Sequence, residues 1–272
     1  MIYFLLALLG LCAGSFVNAW VWRTHKQFST KSKLKKYSIT KGRSVCVHCG
    51  RQLKWIDLIP VLSWLSLKGK CRYCHKAISK QYPFVEIIVA IIFVISYTFW
   101  PHNLTSPSNQ LFFATWLISI PALVSLFIYD LKWMLLPNKI VLPTFLMVSI
   151  LSLIGVIIAK DFGIILQLLT AVAVGGGIFY ILFRLSNGKW IGGGDVKLGF
   201  LLGLLCGTPF VSMLMLFIAS LLGCFYALPS LLAKKIKYNS KIPFGPFLIS
   251  ATAVAIIWGP PIINWYTSLF GY

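Results

Sequence analysis

Only five acidic side chains occur in the 272 residues: Asp57, Glu86, Asp130, Asp161 and Asp195. Two of them stand where a carboxylate is expensive. Asp130 closes the apolar run 123–129, and Asp195 opens another directly after Trp190-Ile191-Gly192-Gly193-Gly194. An ionisable group beside a membrane-length apolar run is costly to keep and marks a functional site by default. Two carboxyl groups that meet cannot easily both ionise, so one keeps a proton. Such a pair can act as general base and general acid on one water molecule, which is aspartic protease chemistry. The competing reading is that each acid marks a helix end and pairs with a nearby base, Lys132 or Lys197. Gly192, Gly193 and Gly194 bear on the choice, because they strip side chains from the backbone ahead of Asp195 and let an extended chain approach. A flexible inner loop would use the same residues. No Lys-Ser/Thr follows that would make the run a phosphate loop. Asp161, beside Lys160, reads as a solvated loop residue, and Asp57 as part of a local ion pair or turn.

The second group with chemistry in it is Cys46-Val47-His48-Cys49 followed, after a gap of 21 residues, by Cys71-Arg72-Tyr73-Cys74. Each C-x2-C places two thiolates on one face of a tetrahedral metal ion, and the gap lets a loop close between the pairs. Two disulfides would use the same residues, but reduced thiols are the expectation if the segment lies in the cytoplasm. Four thiolates close the coordination shell, so Cys46, Cys49, Cys71 and Cys74 are expected to hold a structural zinc ion. His48 and His75 adjoin the ligands and read as solvated neighbours. Cys12, Cys206 and Cys224 lie in apolar runs and read as packing residues.

The elements that must position these groups are membrane helices. Hydrophobic residues make up 58% of the chain and charged ones 11%, against about 45–50% and about 25% in soluble proteins. The apolar residues come in blocks of about the length that spans a bilayer. The expected spans are 2–22, 83–100, 111–129, 140–159, 164–185, 197–208, 210–232 and 245–266, with Pro209 tightening the turn between the sixth and seventh. The net charge of +20 would suggest nucleic acid in a soluble protein. Here the bases cluster between apolar blocks, the positive-inside pattern of cytoplasmic loops, and no nucleic-acid partner is expected. With the N-terminus outside, every Lys and Arg except Lys160 falls in or beside the inside segments 23–82, 130–139, 186–196 and 233–244. The second of those loops holds Lys132 and Lys139. The first holds most of the bases, including Lys31, Lys33, Lys35, Lys36 and Lys41, and the last holds Lys234, Lys235, Lys237 and Lys241. The expectation is therefore an all-α integral membrane protein of about eight transmembrane helices, both termini on the non-cytoplasmic side. Its parts are a first helix over 1–22, a small cytoplasmic zinc-binding subdomain over 23–82 and a helical bundle over 83–272. The first segment has no basic residue ahead of its apolar run, unlike a cleaved signal peptide, and reads as a retained helix. No repeat stands out.

At this point the residues resemble the type IV prepilin peptidase family, the bacterial prepilin leader peptidase/N-methyltransferases. Gly14-Ser15-Phe16-Val17-Asn18 followed by Arg23 is similar to the family's N-terminal signature. Segment 44–86 resembles its cytoplasmic domain: Ser44-Val45-Cys46 with Cys49, Asp57-Leu58-Ile59-Pro60, Ser63-Trp64, Gly69-Lys70-Cys71-Arg72 with Cys74, and Tyr82-Pro83-Phe84-Val85-Glu86. Asp130 with Leu135-Leu136-Pro137 resembles the first catalytic aspartate motif. Gly192-Gly193-Gly194-Asp195-Val196-Lys197-Leu198 resembles the second, the GxGD motif, and Pro243-Phe244-Gly245-Pro246-Phe247 resembles the C-terminal signature. Asn138 stands where the family commonly has an aspartate, Lys189-Trp190 replaces an acidic-glycine pair, and Arg23 lacks the proline that often follows.

The resemblance implies a bacterial inner-membrane, multi-pass aspartyl protease with Asp130 and Asp195 catalytic, and Gly192, Gly194, Lys197 and Glu86 supporting. It implies removal of a short basic leader from prepilins and pseudopilins at the cytoplasmic membrane face. It also implies N-methylation of the newly exposed residue with S-adenosylmethionine, in service of type IV pili, type II secretion or DNA uptake. Glu86 and the aspartates would supply local attraction for a basic leader, with anionic membrane lipid assisting. Three other readings use the same acids or helices: a cation-coupled transporter, a pilus-assembly scaffold without chemistry, and an intramembrane protease that cuts within apolar helices.

Overall fold

The structure is a computed structural model that describes residues 1–29, 38, 42–233 and 242–269. Lys31, Lys33, Lys35, Lys36, Lys41, Lys234, Lys235, Lys237 and Lys241 lie outside these residues. The described chain forms two compact units, Met1–Thr98 and Phe99–Tyr272. Its regular structure is helical, with two isolated antiparallel bridges.

The first unit is built on two long helices, α1 (Ile2–Ser29) and α3 (Gln81–Thr98), with the short α2 (Leu62–Ser66) in the segment between them. α1 and α3 pack together, and they run antiparallel, because Gly10 meets Ala90 while Gly14 meets Glu86. A Cβ would come within 2.5 Å of the Ala90 Cα at Gly10 and 2.6 Å of the Glu86 Cα at Gly14. Small residues let two apolar helices approach this closely. α1 continues past the apolar run that ends at Trp22 to Ser29. The apolar run reports bilayer thickness, and residues 23–29 contain neither Gly nor Pro to end the helix.

The second unit contains α4 (Pro107–Trp133), α5 (Asn138–Ala159), α6 (Gly163–Val172), a π turn over Ala173–Gly177, α7 (Ile178–Leu185), α8 (Gly193–Cys206), α9 (Pro209–Leu232) and α10 (Gly245–Leu269). α6, the π turn and α7 form one continuous segment of span length, Gly163–Leu185. Among the described residues, seven helices are long and apolar enough to cross a membrane. Many outward residues are large and apolar, including Ile118, Ile157, Leu166 and Phe225, as a lipid-facing surface requires.

The remaining apolar segment is α8, the sixth expected span; it is short, as expected, but begins at Gly193 instead of 197. With 14 residues it is about 21 Å long at 1.5 Å per residue, short of the roughly 30 Å hydrocarbon core. It is nonetheless the centre of the unit, touching α5, α6, the π turn, α7, α9 and α10. Leu198, Leu201 and Leu202 are fully buried. A helix apolar on all sides belongs inside protein, so α8 does not have to match lipid thickness. Its line through the unit is fixed by its neighbours. It begins beside Leu136, just after α4, and ends at the start of α9. Farther along α9, Gly223 and Tyr226 pack against Phe244 and Phe247 at the start of α10, whose Gly245 touches Asp130. α8 therefore connects the Asp130 end of the unit to the opposite end, as an eighth crossing would.

Glycine makes this central position possible. A Cβ at Gly199 would lie 2.6 Å from the Gly175 carbonyl oxygen, and one at Gly203 would lie 2.6 Å from that of Ala171. The spacing Gly199-x3-Gly203 puts both on one face of α8, against Gly175 in the π turn.

Candidate active site and metal centre

Asp130 lies in the last turns of α4, whose helix ends at Met134 in a left-handed conformation (φ 50°) with its N–H bonded to the Asp130 carbonyl, 2.8 Å. The chain then runs extended to Pro137 and enters α5 at Asn138. This turn carries Leu136 to α8, where a Cβ on Gly194 would meet the Leu136 Cβ at 3.2 Å. Gly192 is the N-cap of α8, with extended backbone, and Asp195 occupies the first turn. The glycine run expected as a loop is thus partly helix. Its second and third members, Gly193 and Gly194, start α8, and the missing side chain of Gly194 lets the α4–α5 turn close on it.

Asp130 is buried and Asp195 half-buried. Leu136, in the turn that follows Asp130, packs on Gly194, the residue before Asp195. The Asp130 Oδ2 accepts a hydrogen bond from the Gly245 amide at 3.0 Å, at the start of α10. Four helix ends therefore converge here: the C-terminus of α4 and the N-termini of α5, α8 and α10. Helix N-termini favour nearby negative charge, which helps hold two acids at one place. Lys197, the base that a helix-end reading would pair with Asp195, donates instead to the Asn138 Oδ1 at 3.0 Å and is exposed. Gly245 had no task in the sequence reading beyond its place in a motif. The separation of 115 residues from Asp130 left no local signal by which to find it.

The four cysteines of the first unit also meet. Their sulfurs all lie within 4.8 Å of one another, and Cys46 Sγ is 3.9 Å from Cys74 Sγ. Zinc–sulfur bonds of about 2.3 Å in a tetrahedron set the sulfurs about 3.8 Å apart, so the cluster fits zinc. The gathering follows from two copies of one local structure. Bridges Val45–Gln52 and Lys70–Ala77 each close a loop over a C-x2-C pair. In each loop the first cysteine's N–H bonds to a carbonyl five residues on, at 2.9 Å. Its carbonyl accepts from the left-handed residue Gly50 or His75 at 3.0 Å. The Sγ atoms of Cys46 and Cys71 each accept a main-chain N–H at 3.5 Å. A short repeat does exist, then, with an offset of 25 residues, in backbone form more than in residue type. Arg51 of the first loop lies over the Tyr73 ring of the second, 4.9 Å from its centroid. His48 and His75 are exposed, and His75 serves its loop through its backbone.

The remaining acids each accept hydrogen bonds within their own unit. The Asp57 Oδ1 pairs with Arg72 Nε at 2.7 Å, and its Oδ2 accepts from the Lys54 amide at 3.2 Å. Asp161 accepts from the Gly163 amide at 2.8 Å, at the start of α6. The buried Glu86 accepts the Val61 amide at 2.7 Å. Val61 sits at φ 60°, an uncommon conformation for a β-branched residue, and this bond ties its loop to α3. Beside these groups the first unit holds a cavity of about 710 Å³, lined in part by Trp22, Arg23, Trp64, Arg72, Tyr82 and Glu86.

Comparison with known proteins identifies the family. Residues 8–100 match the bacterial peptidase A24 N-terminal domain, and residues 111–228 match the type IV leader peptidase family. The chain is similar to a prepilin leader peptidase/N-methyltransferase of Pseudomonas aeruginosa, 30% identical over 97% of this chain and 93% of that protein. Proteins of the same name from Aeromonas salmonicida and Dichelobacter nodosus are each 32% identical, over 98% and 99% of this chain and 94% of theirs. The chain belongs to the type IV leader peptidase family. As a type IV leader peptidase it is an enzyme, and its seven span-length helices make it a multi-pass membrane protein. No solved structure matches it. The resemblance drawn from the motifs is confirmed over the whole chain.

Proposed function

We propose that this leader peptidase removes the basic leader of prepilins and pseudopilins, with Asp130 and Asp195 activating the water that cuts the peptide bond. The observation that carries the reading is the convergence of the elements that bear these two carboxyl groups at one end of the second unit: Leu136, in the turn after Asp130, packs on Gly194, next to Asp195. Their separation of 65 positions along the chain makes a chance meeting of two of only five acids an unattractive alternative. The pair shares one proton, so one member accepts from water while the other donates to the scissile carbonyl. Gly192, where a Cβ would lie 3.4 Å from the Asp195 Oδ2, keeps the approach to Asp195 clear, and Gly194 admits Leu136. Lys197, held by Asn138, lies at the rim, where it fixes the turn between α4 and α5 against α8.

In the same proposal the site lies at the cytoplasmic face of a bacterial inner membrane. α8 counts as the eighth crossing, so both termini lie on the non-cytoplasmic side, as the distribution of Lys and Arg implies. Cys46, Cys49, Cys71 and Cys74 hold structural zinc, which stabilises a subdomain over 23–82 too polar to bury a large core. The same subdomain supports N-methylation of the cleaved product. The cavity beside it combines aromatic, basic and acidic side chains, which fits the adenine ring, carboxylate and hydroxyls of S-adenosylmethionine. That molecule would supply the activated methyl group. Trp64 and Tyr82 would face its ring, and Glu86 its hydroxyls. The experiment is incubation of the purified protein, in lipid, with a prepilin and S-adenosylmethionine, followed by intact mass measurement. Leader loss supports the peptidase reading, and an added methyl mass supports the second activity. An unchanged prepilin mass contradicts both.

A further inference from the structure

Asp130 has two carboxylate oxygens, and one of them is spoken for. An amide N–H can only donate, so the Oδ2 that receives the Gly245 bond at 3.0 Å acts as an acceptor. The bond draws on one lone pair of Oδ2 and lowers that oxygen's basicity, which leaves Oδ1 as the favoured oxygen for a proton. The donor is well fixed. Pro246, the next residue, locks its own backbone angle, while Phe244 is held by ring contacts to Phe179 at 6.0 Å and Phe247 at 6.3 Å. Gly223 lies under the Phe244 ring. The residue itself cannot be larger: a Cβ at position 245 would lie 2.7 Å from Oδ2 and 3.3 Å from the Asp130 carboxyl carbon. Heavy atoms do not pack that closely, so any side chain pushes the carboxylate aside.

We infer that Gly245 is a positioning residue of the active site, its amide holding Oδ2 of Asp130 so that Oδ1 is the oxygen left to act as base on the reacting water. This rests on the reading of Asp130 as catalytic. The step it implies balances as follows. Water gives one proton to Asp130 Oδ1 while its oxygen bonds to the scissile carbonyl carbon. Asp195 gives its proton to the carbonyl oxygen, forming a tetrahedral diol. On collapse the diol returns a proton to Asp195. The proton on Asp130 Oδ1 passes to the departing nitrogen, and the carbon–nitrogen bond breaks. Both acids end as they began.

Two measurements test the inference. Gly245→Ala is expected to lower kcat for prepilin cleavage about 10²-fold, the usual effect of losing one fixed donor at a reacting centre. KM should change by less than about threefold, because substrate binding is untouched. Gly259→Ala on the same helix, where the added Cβ meets only ordinary contacts at 3.5 Å or more, should keep full activity. The second measurement does not need an active or even a folded Gly245 variant. In protein labelled with 13C-carbonyl Phe and 15N Gly, the sequence offers three Phe-Gly amides, those of Gly163, Gly245 and Gly271. The Gly245 amide proton should move upfield in Asp130→Asn while the other two stay. An amide unmoved by that change, or a Gly245→Ala enzyme with undiminished kcat, overturns the inference. If Asp130→Asn itself cleaves normally, the reading of Asp130 as catalytic falls, whatever the amide does.

Discussion

At the scale of single residues, what each acid does follows from what it touches. Asp57 and Asp161 were legible as structural from their neighbours in sequence, and their contacts are local: Arg72, Lys54 and Gly163. Scarcity and a place beside apolar runs singled out Asp130 and Asp195, but the choice between a catalytic pair and helix-end ion pairs drew on the glycine run and the motif resemblance. Glu86 was harder. The motif around it named it as supporting, but its burial and its bond to the Val61 amide give it a fold-holding contact that no spacing rule announces. Asn138 is a departure from the family pattern, and the structure explains why it is tolerable. Its side-chain oxygen accepts from Lys197 as an aspartate would. Because Lys197 is exposed, replacing that bond by an ion pair is worth at most about 1 kcal/mol. Asn138→Asp is therefore expected to change the cleavage rate by less than about fivefold, as a progress curve on prepilin would show. A loss of about 10²-fold or more would mean that the neutral partner matters to the acids nearby.

At the scale of elements, hydropathy located every helix of the second unit to within a few residues, because blocks of apolar residues in lipid have no other structure available. It misplaced the start of α8, where Gly193 and Gly194 looked like loop residues. Glycine is a poor helix former, but here its small size admits Leu136, and tertiary contact outweighs propensity. The π turn at Ala173–Gly177 was likewise hidden, since its cause is the close pass of Gly199 and Gly203 on another helix. The cysteine loops were legible as ligands but not as a repeated backbone form, because Gly50 in one is matched by His75 in the other. The account expects one equivalent of zinc per chain. In Cys46→Ser with Cys71→Ser the zinc should be lost, and the thermal midpoint of the purified protein should fall, since metal binding free energy is folding free energy in such small domains. Elemental analysis beside a melting curve checks both. Full zinc content in the double variant would contradict the assignment.

At the scale of the whole molecule, the charge distribution and the helix count make one statement. Seven helices have span length, and α8, sheltered by protein, provides an eighth crossing with fewer residues. In the proposed topology the crossings are even in number, and both termini lie on one side. Alkaline phosphatase, which is active only outside the cytoplasm, should work when fused after Tyr272 or at Lys160, and should be silent at Lys139 or Lys189. Activity at Lys139 would invert the topology and put the acids on the wrong face for a leader that never leaves the cytoplasm. The same whole-molecule view separates a peptidase from a cation carrier, since a carrier would need its acids along a path, whereas here they share one end.

The central claim is that Asp130 and Asp195 act together on one peptide bond, and single-turnover cleavage of a prepilin in lipid tests it most directly. Asp130→Asn, Asp195→Asn and the double variant should each lose at least about 10³-fold in rate. The double should be no worse than either single, because residues that act as one unit lose their effect together. Leader removal near the normal rate by either single variant, or losses that multiply in the double, would contradict it.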